Sequence, residues 1–184
     1  SASARRVLGL VVVWWVCALV ACSRGAPALH GVAFDPPRAA ADFGGTNWDG
    51  TPFHLSDQHG RLTVVFFGYT YCPDICPVTL SKMKTLYHQL GDRAQEVAVV
   101  FVSVDPERDS VEKLSHYVPA FDSHFFGVRL EPAELATAIA AYDVTAVKRY
   151  TEGERLNRGW DNYSIDHTSA FFVIDGAGML RLRY

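Results

Sequence analysis

Two cysteines separated by three residues carry the clearest chemical potential in the sequence. They lie in Tyr69-Thr70-Tyr71-Cys72-Pro73-Asp74-Ile75-Cys76-Pro77, and no other cysteine occurs beyond residue 22. A thiolate is both a nucleophile and a ligand for soft metals, so a close pair implies dithiol–disulfide chemistry or metal binding. Common dithiol oxidoreductase sites have two intervening residues; three, one of them proline, still permit a disulfide. The preceding segment, Leu62–Phe67, is an apolar run with the character of a buried strand. The following one, from Val78 to about Leu90, spaces Val78, Leu80, Met83, Leu86, Tyr87 and Leu90 as a helix does. The thiols are therefore expected on a strand-to-helix loop, with Pro77 at the first helical position and Cys76 at or near the N-cap. The helix dipole favours an anion there, which predicts Cys76 to be the more acidic thiol.

The rest of the chain must position that loop. Its 184 residues are 49% hydrophobic and 20% charged with a net charge of −3. That suits one globular domain of about 150 residues plus an N-terminal appendage, and nothing suggests nucleic acid. Residues 1–22 read as an export signal, because Arg5 and Arg6 precede the apolar run Val7–Ala21. That run is shorter than the roughly 20 residues of a membrane span. Leu19-Val20-Ala21-Cys22 resembles a bacterial lipobox, in which Cys22 would be lipidated; an uncleaved signal anchor is the alternative. Either device holds the domain at the outer, extracytoplasmic (periplasmic) face of the cell membrane. Cys17, inside the apolar run, is expected to be inert. Residues 23–41, rich in proline and small residues, read as a flexible tether.

From residue 42 to 184 the pattern predicts an α/β domain. Phe43–Leu55 reads as an N-terminal hairpin turning at Asp49-Gly50. Val97–Val104 reads as a second buried strand, Ser110 to about Val118 and Glu131–Tyr142 as helices, and Phe125–Leu130 as a short strand. Val147–Arg158 reads as polar and irregular, and Thr168–Ile174 and Met179–Tyr184 as strands joined by the turn Asp175–Gly178. A thiol pair where the first long strand meets a helix, within a mixed sheet flanked by helices, is a thioredoxin-like arrangement. Such folds usually add a closing helix, so a further segment is expected after Tyr184.

Two thiolates alone make an incomplete metal site. Of the seven histidines, His30, His54, His59, His88, His116 and His124 have no distinguishing context. His167 does: it lies in Ser164-Ile165-Asp166-His167-Thr168-Ser169, which leads into the strand Ala170–Ile174. In a thioredoxin-like sheet that loop end adjoins the thiol loop. Two thiolates and one imidazole suit Cu(I) and tolerate Cu(II). Zinc usually takes four protein ligands in a closed structural site, and no fourth ligand stands at motif spacing. Asp166 is a candidate to orient the imidazole. Asp105 either faces the site or caps the turn before Pro106, and Asp74 is expected in solvent. Phe66, Phe67, Tyr69 and Tyr71 are expected to form core or an apolar site wall.

Three of these segments together resemble the Sco/SenC family. Cys72-Pro73-Asp74-Ile75-Cys76-Pro77 resembles its CxxxCP signature, Val104-Asp105-Pro106-Glu107-Arg108-Asp109 its second characteristic segment, and Asp166-His167-Thr168-Ser169 its histidine segment. The resemblance covers roughly residues 42–184. It implies a thioredoxin-like fold, attachment to the membrane by one helix or a lipid, and one copper ion, Cu(I) or Cu(II), bound by Cys72, Cys76 and His167. It implies delivery of copper, or of reducing equivalents, to the binuclear CuA site in subunit II of cytochrome c oxidase, with other periplasmic copper chaperones or thiol reductants as further partners. The cysteines of such proteins also cycle between dithiol and disulfide.

A copper metallochaperone, an assembly factor rather than an enzyme, is therefore the leading function. The alternative is an envelope thiol–disulfide oxidoreductase using Cys72 and Cys76 to reduce cysteines of a copper-site partner. A thiol peroxidase and a copper-responsive sensor are further alternatives. His167 favours the first.

Overall fold

A computed structural model describes residues 31–150 and 163–184. The expectations for the export signal, Cys17, Cys22 and the start of the tether lie outside the described residues. Among the described residues no helix is long and apolar enough to cross a membrane.

The strands are β1 (Val32–Ala39), β2 (Gly44–Asn47), β3 (Pro52–His54), β4 (Leu62–Gly68), β5 (Val97–Ser103), β6 (Phe126–Arg129), β7 (Ala146–Arg149), β8 (Ser164–His167), β9 (Phe171–Ile174) and β10 (Met179–Arg183). The helices are α1 (Ile75–Gln89), α2 (Val111–Tyr117) and α3 (Pro132–Ala141). Eight strands form one sheet in the order β1-β10-β9-β4-β5-β6-β2-β3, while β7 and β8 make a separate two-stranded ribbon.

Register decides where the chemistry falls. The apolar runs of β4 and β5 pair in parallel from Leu62↔Val97 to Gly68↔Ser103, so both strands end at the same edge. The thiol loop after β4 and the segment after Ser103 therefore emerge side by side. On the other flank, β9 runs antiparallel to β4 with Phe66 opposite Phe171. The chain entering β9 thus arrives at that same edge, which brings His167 there. The core under it is aromatic: Phe67 packs against Phe43, Tyr142 and Phe172, all at most 2% exposed.

Several sequence expectations are corrected. Residues 32–39, assigned to the tether, form β1 and pair with β10. Pro36 and Pro37 suggested a linker, but β1 is an edge strand whose register shifts between Ala33 and Arg38, and an edge tolerates the missing N–H donors. The expected irregular stretch Val147–Arg158 begins inside β7, and its residues 151–158 lie outside the described ones; Thr168–Ser169 fall between β8 and β9 rather than opening a strand. The predicted hairpin at Asp49-Gly50 is present between β2 and β3. Helix α1 starts at Ile75, before Val78, with Asp74 as N-cap. Its buried stripe is Cys76, Leu80 and Tyr87, with Met83 partly covered. Val78, Leu86 and Leu90, which the spacing placed on that stripe, are exposed.

Candidate metal centre

The thiol loop leaves β4 at Gly68 and turns at once, with Cys72 N donating to the Tyr69 carbonyl at 3.2 Å. Pro77 is the third residue of α1, where its lost N–H needs no helical partner. Cys76 is the second, and its side chain falls on the core-facing stripe, so it is fully buried. Cys72 is 9% exposed, and both thiols are free. Gly68 makes this approach possible: a Cβ there would lie 2.9 Å from Cys76 Sγ and 2.7 Å from Phe101 Cε2.

His167 closes the group. Its Nε2 lies 3.4 Å from Cys76 Sγ, and its Nδ1 lies 3.2 Å from the Thr168 carbonyl. A carbonyl can only accept, so Nδ1 carries the hydrogen and Nε2 is left with a lone pair towards the sulfur. The rings of Tyr69 and Phe66 meet the imidazole edge-on at 5.7 and 6.1 Å. Burial holds the imidazole below its ordinary pKa, outweighing bonds to the Thr168 and Phe67 backbone. It is thus neutral at neutral pH, as a ligand must be.

Donor atoms of Cys72, Cys76 and His167 all lie within 4.8 Å of one another. Metal–ligand bonds of about 2.0–2.3 Å place trigonal donors roughly 3.7–4.0 Å apart, so small side-chain adjustments would seat an ion. The donor set is soft, which suits copper(I). Among the described residues no other trio of histidine, cysteine or carboxylate converges in this way. His88 and His124 instead share Asp122, at 2.8 Å each.

The expected acidity of Cys76 is reversed. Burial pushes its thiol well above the ordinary range, and Cys72 and Asp109 push the same way, against a backbone bond involving Tyr69. The N-cap lies two residues earlier than expected, and the side chain points into the core, where desolvation outweighs the dipole. In metal-free protein, iodoacetamide should therefore modify Cys72 before Cys76. The rate at Cys76 should still climb above pH ~8.5, the midpoint of a free cysteine. Equal rates and equal pH profiles for the two thiols would contradict this placement.

The neighbouring residues divide. Asp166 pairs with Arg149 at 2.7 Å in solvent and does not touch the imidazole; the Thr168 carbonyl orients it instead. Asp105 is buried but accepts from Arg108 Nε at 2.5 Å and the Tyr163 hydroxyl at 2.6 Å, not from the thiol loop. Asp74 is exposed and makes no side-chain capping bond. Tyr69 and Phe66 do line the imidazole, whereas Phe67 belongs to the core and Tyr71 is 52% exposed. Sequence reasoning missed Asp109. Its carboxylate accepts from Thr70 N at 3.0 Å, Thr70 Oγ1 at 2.6 Å and Ser103 Oγ at 2.7 Å, tying the start of the thiol loop to the end of β5. The only signal was its place in the segment Val104–Asp109.

The family model described as SCO1/SenC matches residues 33–184. An SCO2-like protein of Rickettsia prowazekii is 30% identical over 139 residues, covering 70% of this chain and 65% of that protein. The chain thus spans just under two thirds of that relative's length. The copper-bound structure of ScoI from Bradyrhizobium japonicum aligns with a TM-score of 0.72 at 33% identity, over 79% of this chain and 88% of that one. The solution structure of apo Sco1 from Thermus thermophilus gives 0.74 at 35% identity, over 87% and 89%. The fold is thioredoxin-like, as the residue pattern led us to expect.

Proposed function

The chain belongs to the SCO1/SenC family, and on that premise we propose that it binds one copper ion through Cys72, Cys76 and His167 and hands it to an acceptor protein. One observation carries the reading: two sulfurs from the thiol loop and a neutral imidazole nitrogen from a strand about 90 residues later converge within 4.8 Å. The copper-bound relative supports the choice of metal. Bound copper supplies the positive charge that makes a high-pKa thiol ionise, so loading releases thiol protons. The chain's own residues do the rest: Gly68 admits the Cys76 sulfur, Thr168 fixes the imidazole tautomer, and Tyr69 and Phe66 limit water. The acceptor we assign is the CuA site in subunit II of cytochrome c oxidase, approached from a membrane-held position outside the cytoplasm; other copper chaperones or thiol reductants would load and reset the site.

The dithiol supports a second reading, in which Cys72 and Cys76 give two electrons and two protons to a disulfide of the partner. Formation of their own disulfide would remove two of the three ligands and release the metal. The buried Cys76 is a poor attacking thiolate, which leaves Cys72 as the nucleophile and makes metal binding the better use of the pair.

Anaerobic copper titration of the reduced chain, beside His167→Ala, tests the assignment. One copper per chain is expected in the parent, with the Cu(II) absorption altered or lost in the variant. Identical titrations and spectra would remove His167 from the site and leave a redox pair, to be assayed next by disulfide reduction.

A further inference from the structure

His167 does not stand on the main sheet. β7 and β8 pair only with each other, so no strand ladder fastens the imidazole to the strand that leads into the cysteines. Along the ribbon's second strand the side chains alternate: Tyr163 and Ile165 are buried at 6% exposure, Ser164 and Asp166 face solvent, and His167 is turned inward. A slip of one residue would present Asp166 to the thiols instead. The register and depth of this ribbon therefore decide whether the third ligand exists.

Side chains hold it, and a cluster around Arg108 and Asp105 grips its Tyr163 end. Nε donates to Asp105 at 2.5 Å, and Nη1 donates to the Tyr163 carbonyl at 2.7 Å. The guanidinium lies 3.6 Å from the centroid of the Tyr163 ring, whose hydroxyl donates back to Asp105 at 2.6 Å. Tyr69, on the thiol loop, accepts from Ile165 N at 3.2 Å, and Lys148 pairs with Glu107 at 2.5 Å. The Arg108 and Asp105 side chains are 9% and 0% exposed. A planar fork that bonds two acceptors and stacks on a ring at once fixes orientation, which a lysine ammonium cannot do.

We propose that Arg108 is a positioning residue of the metal centre: anchored on Asp105, it clamps Tyr163 and sets the depth at which the β7–β8 ribbon presents His167 to Cys76. This rests on the reading of His167 as a ligand. Arg108 is far from the ligands in sequence; besides the ribbon, its guanidinium lies 4.8 Å from the Tyr71 ring centroid and 5.8 Å from that of Tyr69, so the same clamp spans the ribbon and the thiol loop.

The test compares Arg108→Met, Arg108→Lys and Tyr163→Phe in the full chain. In the metal-free state, hydrogen exchange of the Ile165 and Thr168 amides should accelerate at least tenfold in Arg108→Met, with the β4 and β5 amides unchanged. Copper affinity should fall about 10–100-fold, as for other outer-shell partners of a ligand. The Cu(II) spectrum should move towards that of His167→Ala, with Arg108→Lys intermediate. Should Arg108→Met fail to fold, Tyr163→Phe, which removes only the bond to Asp105, is expected to show the same changes at smaller size. Unchanged exchange in the ribbon, uniform acceleration across the whole sheet, or a Cu(II) spectrum equal to the parent's would overturn the clamp. Exchange is read without copper, so a parent that binds none would defeat the metal assignment while the clamp is still decided.

Discussion

Cys76→Ser is expected to weaken copper binding by roughly 10²–10⁴-fold, taking a structural zinc site's 10–16 kcal/mol as the scale, a third of it per ligand and 1.4 kcal/mol per decade. Serine keeps the shape but offers a hard, protonated oxygen where a soft thiolate is needed. Cys72→Ser should lose copper to a similar degree, yet the two variants should differ in stability. Cys76 is fully buried beneath Gly68 and Phe101, so its hydroxyl replacement is desolvated, at a cost of about 1–3 kcal/mol. Cys72 lies nearer the surface, and its hydroxyl can keep a water. Competition of each variant against a Cu(I) chelator, with a urea melt of the metal-free form, separates the two effects. Retention of parental affinity by either variant would exclude that cysteine as a ligand.

The thiol loop was legible because its signals are local. Leu62–Phe67 and Val97–Val104 are apolar but for Thr63 and Ser103, as central parallel strands are, and a cysteine pair between strand and helix has few structural uses. His167 was legible for a weaker reason, its place before a strand that had to lie next to β4. The acidity of Cys76 was misjudged because a helix N-terminus can be read from sequence to within a residue or two, whereas the direction of a side chain depends on that very offset. With Asp74 as N-cap, Cys76 falls on the same stripe as Leu80 and Tyr87. The other misses are of longer range. β1 looked like linker because Pro36 and Pro37 matter little on an edge. The β7–β8 ribbon is short, half-exposed and polar, and what holds it are distant side chains, among them Arg108, whose bond to Tyr163 spans 55 residues. No periodicity reports such a contact.

Asp109→Ala is expected to destabilise the fold by about 2–6 kcal/mol, since three donors lose their acceptor at roughly 1–3 kcal/mol each and one of them, at the loop, can be rescued by water. The donors are Thr70 N, Thr70 Oγ1 and the fully buried Ser103 Oγ. Asp109→Asn keeps an acceptor and the volume, and should cost clearly less. It should also change the response to pH. Burial holds the Asp109 carboxyl above the ordinary carboxylate range, even though its three donors pull it down, and Asp105 adds to the rise. The folded chain then holds this proton more tightly than the unfolded chain. Its contribution is fully present below the unfolded value of about 3.9 and is lost as pH rises through the folded value. Above that value the ionised carboxylate is carried at a constant cost. The asparagine variant lacks the titration, so its urea midpoint should fall less than the parent's as pH is raised across that window; parallel pH profiles would show that Asp109 ionises as freely as a surface carboxylate. In Asp109→Ala the tie between the thiol loop and β5 is gone, and alkylation of Cys76 should quicken relative to Asp109→Asn, because the two bonds that anchor Thr70 to a carboxylate held by Ser103 keep the loop closed over the buried sulfur.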